Sequence, residues 1–144
     1  MRARFFALFL SGLSLTAPAA AAPEEASAPS HPTYVAKVDP GAFHPVPFEE
    51  KKLGAAVSPS AVRLITPGVD KFSIYRLIGP PHFGEAIARR WNYVLFFPVV
   101  PGSAERMRCR MEIRFDRPPG RYDVIVSEVI WQEQSCADRV AAAS

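Results

Sequence analysis

One segment alternates strictly between apolar and charged residues, and it constrains the fold more than any other part of the chain. In 107-MRCRMEIRF-115 every second residue is apolar, and the residues between are three arginines and Glu112. Successive side chains of a β-strand point to opposite faces of a sheet, so this pattern predicts a half-buried antiparallel strand with one solvated face. The apolar face must therefore be covered by other elements.

The segment before this strand predicts two short helices. Ser58, followed by proline, is a favourable start for a helix over 59–65. Asp70 can cap a second helix over 70–79, and the pair Gly79-Pro80 ends it because proline cannot continue a helix. Three apolar residues recur every third position in the second helix and predict the face that packs on the core: Phe72, Tyr75 and Ile78.

Two further strands complete the predicted sheet. An aromatic run over 93–99 precedes the alternating strand, and a Val/Ile-rich run over 123–132 follows it with an imperfect alternation that indicates a bulge. The predicted fold class is α+β, with two short helices followed by a three-stranded antiparallel meander. We expect this domain over 58–137, with a C-terminal tail over 138–144.

The N-terminal region has the features of an exported protein. Residues 1–22 combine two arginines, an apolar run too short to span a bilayer and an alanine tract, which is the order of a signal peptide. No cysteine lies near the cleavage site, so we expect a periplasmic protein that is not a lipoprotein. The Pro-rich residues 23–57 predict a disordered or extended arm, and its aromatic residues leave room for docking on the domain: Tyr34, Phe43 and Phe48.

The two cysteines, Cys109 and Cys136, predict one disulfide, because an exported chain oxidises an even pair of thiols. Cys109 lies on the apolar face of the alternating strand, so the bond would fasten the C-terminal tail to the core. Neither cysteine has a histidine at ligand spacing and no C-x-x-C motif is present. The sequence therefore predicts no metal and no cofactor.

The most conspicuous polar residues lie in the loop 79-GPPHFGE-85. His82 and Glu85 stand at an H-x-x-E spacing, but a proline and a glycine beside them prevent the helical geometry that would bring them together. The sequence also offers no nucleophile for them to activate. We expect no catalytic role for this pair.

Structural roles are the alternative for the same loop. His82 should form a hydrogen bond with backbone in the turn, and Phe83 should insert into the core. Glu85 should pair with an arginine such as Arg89 or Arg90.

Three arginines on the solvated face of the alternating strand form the candidate interaction surface: Arg108, Arg110 and Arg114. They could bind an acidic partner, lipid headgroups or peptidoglycan carboxylates. The simpler interpretation is a solvated polar face on which Glu112 is their internal partner. Loss of the leader would lower the net charge from +3 to +1, which, with the absence of aromatic residues among these arginines, excludes nucleic acid as a partner.

Aromatic residues are abundant for a domain of this size, and Trp91, Tyr93 and Trp131 stand at the strands. Core packing is the simplest interpretation. A sheet with helices on one face nevertheless leaves its other face bare, so some rings could form a binding surface. An exposed edge strand could also accept a strand from a partner.

The motifs within 58–137 resemble those of the BamE-like (SmpA/OmlA) envelope domains. The likeness rests on a Gly-Val-Asp entry to the second helix, an Ile-Gly-Pro-Pro stop and a Trp-Asn-Tyr strand start. The P-H-F-x-E run and the two cysteines are similar to one subgroup. The residues with motif or structural roles are Gly68, Asp70, Gly79, Pro80, His82, Phe83, Glu85, Trp91, Tyr93 and Trp131.

This resemblance implies an ααβββ fold and a non-catalytic role in the outer-membrane β-barrel assembly machinery or in envelope integrity. The leading hypothesis is a periplasmic interaction module whose partners are envelope proteins. The alternative is an inhibitor or ligand-binding module that holds a secreted enzyme or a cell-wall fragment on its sheet face.

Overall fold

The computed structural model describes residues 33–43, 53–85 and 89–144, and the predicted signal peptide and Phe48 lie outside these ranges. All described residues belong to one unit, His31–Ser144. The strands are β1 (Lys37–Val38), β2 (Ala55–Ala56), β3 (Arg90–Pro98), β4 (Arg106–Asp116) and β5 (Ile125–Trp131). The helices are a 3-10 turn (Pro40–Ala42), α1 (Pro59–Arg63), α2 (Lys71–Ile78) and α3 (Gln134–Ala141).

The described residues form one mixed sheet of five strands in the order β1-β5-β4-β3-β2. Strands β3, β4 and β5 form the predicted antiparallel meander, whereas β1 pairs in parallel with β5 and β2 in parallel with β3. The predicted fold class is therefore wrong in its sheet and in its number of helices, although α+β is correct. The two additional strands come from the predicted arm, and each is two residues long, too short to show any alternation.

The N-terminal segment is held to the domain by aromatic residues as well as by these strands. The Trp131 indole N–H donates to the Tyr34 hydroxyl over 2.6 Å. Burial raises the pKa of Tyr34 to about 12. Phe43 is also buried, with 8% of its surface exposed. The predicted docking is thus confirmed for Tyr34 and Phe43.

The centre of the sheet agrees closely with the sequence pattern. The apolar residues of β4, from Cys109 to Phe115, are buried in the core, as the alternation predicts. The predicted bulge is present in β5, where Arg114 pairs with Glu128 but Phe115 pairs with Val126. Ser127 is therefore the extra residue.

Helix α2 begins and ends as predicted but presents a different face to the core. The Asp70 carboxylate accepts a hydrogen bond from the Ser73 amide, and Gly79 follows the last turn at φ 81°, a conformation that favours glycine. The buried residues are Ile74 and Ile78, whereas Phe72 is 73% exposed. Steps of three residues drift around the helix by about 60°, so the predicted stripe was too wide to fit one contact face.

Helix α3 spans the predicted boundary between the domain over 58–137 and the C-terminal tail over 138–144. The disulfide between Cys109 and Cys136 is confirmed, and it joins β4 to α3. The buried face of α3 consists of Cys136, Ala137 and Val140, whose spacing is helical. Helix α3 contacts α1, β1, β4 and β5 and completes the core.

Candidate functional site

The loop containing His82 closes one edge of the sheet. The His82 and Phe83 amides donate to the Asn92 carbonyl over 3.0 and 3.1 Å, and the Asn92 amide donates back to Phe83. Next along the strand, the Val94 amide donates to Nδ1 of the His82 ring over 3.3 Å. Burial, with a smaller contribution from the charge of Arg108, lowers the pKa of His82. The imidazole thus acts as a neutral acceptor that extends the edge pairing beyond the loop backbone.

Glu85 contacts a different part of the molecule. Its carboxylate accepts a hydrogen bond from the Tyr75 hydroxyl over 3.0 Å, and its carbonyl accepts one from the Trp91 indole over 3.0 Å. The predicted pairing of Glu85 with Arg89 or Arg90 is therefore wrong, because α2 places a phenol against the carboxylate. His82 bonds to β3 while Glu85 bonds to α2.

The other motif residues also have structural partners. The Tyr93 hydroxyl donates to the Gly79 carbonyl over 3.1 Å, which ties the end of α2 to β3. The Gly68 amide donates to the Val126 carbonyl over 2.8 Å and so holds the loop before α2 against β5. Pro80 is exposed, and Phe83 is half-buried and lies outside the core cluster, contrary to the prediction that it inserts there.

The side of the sheet opposite the core contains the predicted interaction surface, and we call it the outer face. It comprises Asn92, Val94, Phe96, Arg108, Arg110, Glu112, Arg114, Glu128 and Ile130. The Arg114 Nε donates to Glu112 over 2.7 Å and its Nη1 to Glu128 over 3.2 Å. The hydrogen bond to Glu112 is the main reason that the pKa of Arg114 is raised. Arg114 is thus engaged within the sheet.

Much of the outer face is covered, contrary to the expectation of a solvated face. Val94 is 1% exposed, Ile130 0% and Glu112 3%. Phe43 lies against Arg110, with 5.2 Å between the guanidinium carbon and the ring centroid. Gly54 crosses Phe96 so closely that a Cβ at this position would overlap the ring. The N-terminal segment therefore packs on the face that the alternation left for solvent.

An open cleft lies elsewhere, between α2 and the loop that joins β4 to β5. We call it the aromatic cleft, and its volume is about 550 Å³. Two exposed rings stand at it, Phe72 with 73% and Tyr122 with 96% of their surfaces accessible. The residues lining the cleft are Gly68, Asp70, Lys71, Phe72, Tyr75, Glu85, Trp91, Arg121, Tyr122, Asp123, Val124 and Ile125.

The positive charge of Lys71 in the aromatic cleft lies over two aromatic rings. The Lys71 ammonium lies 4.7 Å from the Trp91 ring centroid and 4.9 Å from that of Phe115. Desolvation lowers the pKa of Lys71. Asp70 is engaged as the cap of α2, and its hydrogen bonds to Ser73 lower its pKa. The cleft thus offers rings and fixed charges for binding.

Sequence reasoning did not single out this cleft. The sequence contains both rings, but it does not show that they are exposed together. Phe72 fits the stripe predicted for the core, and Tyr122 follows the turn Pro118-Pro119-Gly120, where no packing pattern is visible. Exposure of Phe72 follows from the face of α2 that packs on the core, and Tyr122 is exposed on the loop between β4 and β5.

The described residues show neither a metal-binding cluster nor a helix able to span a membrane. In residues 33–43, 53–85 and 89–144, no cluster of three His, Cys, Asp or Glu side chains is placed to hold a metal ion. Over the same ranges, none of the helices combines the length and the apolar character needed to span a bilayer.

No family model matches the chain, and no curated protein matches it. The likeness to BamE-like domains stays a prediction.

Proposed function

We propose that this protein is a non-catalytic interaction module of the periplasm that binds an envelope protein through the aromatic cleft. The observation that carries the proposal is the exposure of Phe72 and Tyr122 beside one cleft. Large exposed rings cost solvation free energy in a free monomer, and such groups are enriched at protein interfaces. The occupant we expect is a segment of the partner with an apolar side chain that fits between these rings.

The hydrogen bonds that His82 and Glu85 form within the fold favour a binding role. Catalysis by a cooperating His–Glu pair would need both side chains within hydrogen-bond reach of one reacting centre. His82 and Glu85, the residues that the sequence offers for this, bond to Val94 and Tyr75 respectively. Both side chains already stabilise the fold.

The envelope location rests on three observations of different kinds. Residues 1–22 have the pattern of a signal peptide, and the Cys109–Cys136 disulfide is compatible with an oxidising compartment. The motifs shared with BamE-like domains favour a role in outer-membrane protein assembly or envelope integrity. We therefore place the partner among the proteins of that assembly pathway.

The experiment is capture of tagged protein from cells after chemical crosslinking. The wild-type chain is compared with the double variant Phe72→Ala/Tyr122→Ala, and Arg106→Gln serves as the surface control because Arg106 is exposed at the far end of β4. We expect an envelope protein with the wild type and the control, and at most a fifth of that yield with the double variant, as about 1 kcal/mol of lost binding gives. A deletion strain should show a leaky outer membrane.

Equal capture by the double variant would overturn the site, and capture of nothing above background together with an intact outer membrane would overturn the function. The alternative module, which holds an enzyme or a cell-wall fragment on its sheet face, is less suited to this structure. Phe43 and Gly54 pack on the outer face and occupy the surface that such a ligand would need.

A further inference from the structure

Three arginines meet at the end of the sheet where β3 begins and β4 ends. Arg90 stands directly opposite Arg114 in the register, and Arg89 precedes it with its carbonyl accepting a hydrogen bond from the Phe115 amide over 2.8 Å. A cleft of about 430 Å³ lies among them, lined also by Asp116 and Glu128. We call Arg89, Arg90 and Arg114 the arginine cluster.

Like charges directly opposite each other on neighbouring strands are unfavourable unless an anion lies between them. Arg114 has its own anions, Glu112 and Glu128. Arg89 and Arg90 are exposed, and neither forms a salt bridge with any residue in the part of the chain that the structure describes. The three residues that precede Arg89 are Ala, Ile and Ala, so they carry no charge that could neutralise the cluster.

The charge balance of the cleft indicates what kind of anion fits. Its three guanidinium groups face two carboxylates, Asp116 and Glu128, which leaves a single positive charge. Lys37 pairs with Glu128, and Glu112 pairs with Arg114. Counting these two opposite charges as well leaves the net charge at a single positive unit. A monoanionic carboxylate neutralises this charge, whereas a phosphate dianion would reverse it. A guanidinium group also matches the two oxygens of a carboxylate in bidentate geometry.

We propose that the arginine cluster binds an aspartate or glutamate side chain of the partner protein. This proposal rests on the proposed function, because it adds a charge requirement to the segment that the aromatic cleft binds. Both clefts lie at the same end of the sheet, the aromatic cleft beside α2 on the core side and the arginine cleft beside Arg114 of the outer face, so a partner segment that passes around this end can contact both. The partner segment therefore combines an apolar side chain with an acidic one.

The test needs no natural partner. The arginine Nε–H signals of isotopically labelled mature protein are followed by NMR while an acetylated, amidated tetraglutamate peptide is added. We expect the signals of Arg89 and Arg90 to shift in a saturable way, and tetraglutamine to have no effect. Arg89→Gln and Arg90→Gln should each weaken binding about fivefold, as expected for exposed ion pairs, whereas Arg106→Gln at the far end of β4 should not change it.

Other outcomes would overturn either the site or the assignment of its ligand as a carboxylate. If no arginine signal shifts, or if Arg106→Gln weakens binding as much as the cluster variants, the site is overturned. If inorganic phosphate shifts the same signals at lower concentration than the peptide, the assignment to a carboxylate is overturned. Thermal melts of the variants show whether they are folded. Because the probe is a peptide, this result is independent of whether the capture experiment finds an envelope partner.

Discussion

The outer face and the aromatic cleft both combine charged and aromatic residues, but the chain covers one of them and leaves the other open. On the outer face Glu112 is 3% exposed and Phe43 lies against Arg110. At the aromatic cleft Phe72 and Tyr122 are mostly exposed. Residue type alone therefore does not identify a binding surface, because the rest of the chain can cover it. Four changes, ordered by their expected effect on stability, test this contrast.

The largest effect on stability should follow removal of the disulfide, which lies in the core on the side of the sheet opposite the outer face. Cys109→Ala/Cys136→Ala opens a loop of sequence separation 27 and should lower the free energy of unfolding by about 3–4 kcal/mol in the chain-entropy model. Helix α3 contacts β1, so β1 should lose amide protection before the aromatic cleft does. Urea denaturation and hydrogen exchange measure the two effects. Uniform loss of protection would argue against a separate role for α3 and β1.

The next effect concerns the buried charge on the outer face. Glu112→Gln removes the carboxylate that bonds to Arg114 and should cost about 2 kcal/mol of stability, because a nearly buried ion pair loses one partner. The matched control is Glu128→Gln, whose side chain is 41% exposed and whose loss should cost less than about 1 kcal/mol. Denaturation of both variants gives the comparison. Equal costs would show that burial of Glu112 does not strengthen its ion pair with Arg114 beyond that of the exposed Glu128.

A smaller, pH-dependent effect is expected at the sheet edge that His82 closes. The pKa of His82 in the folded protein lies below its usual value of 6.5, so the unfolded chain binds the proton more readily. Stability should therefore be greatest above pH 6.5 and should fall as the pH drops through the folded-state pKa. Protonation of Nδ1 removes the acceptor of the Val94 amide, which costs about 1 kcal/mol.

His82→Asn is the matched variant for this effect, because an amide oxygen can accept from Val94 without titrating. The chain has two other histidines, His31 and His44, so the decisive quantity is the difference between the wild type and the variant. The denaturation midpoints of the two proteins should be similar at pH 8 and should separate towards pH 5, where the wild type loses its acceptor for Val94 and becomes the less stable of the two. A difference that does not change with pH would contradict the role of the neutral ring.

The smallest effect on stability is expected at the aromatic cleft. Phe72→Ala/Tyr122→Ala removes two exposed rings and should change the free energy of unfolding by less than about 0.5 kcal/mol for each. The same change should reduce partner capture to at most a fifth of the wild-type yield, as about 1 kcal/mol of lost binding gives. A large loss of stability would mean that these rings are part of the fold, and the contrast with the outer face would fail.

The sequence predicted those parts of the fold that depend on local patterns. The alternation of β4, the caps of α2, the bulge in β5 and the disulfide follow from spacing or residue type, and they are present. Strands β1 and β2 could not be predicted, because two residues carry no period and their pairing is determined by the edges of a sheet that forms from distant residues. Helix α3 showed its apolar spacing over only a few residues.

The candidate site was less predictable than the fold. The sequence placed Arg108, Arg110 and Arg114 on one face correctly, but it could not show that the N-terminal segment packs there. It also assigned Phe72 to the core, since a stripe of period three does not reveal which part of a helix faces the sheet. Coverage and exposure are tertiary properties, and they decide where a partner can bind.

The most direct measurement is site-specific photocrosslinking in cells. A benzoylphenylalanine residue is placed at Tyr122 in one strain and at Arg106 in another; Arg106 is also exposed and has the strand parity of the outer face. The account predicts an adduct with an envelope protein from position 122 and at least a tenfold lower yield from position 106. Equal yields, or an adduct from position 106 alone, would contradict it.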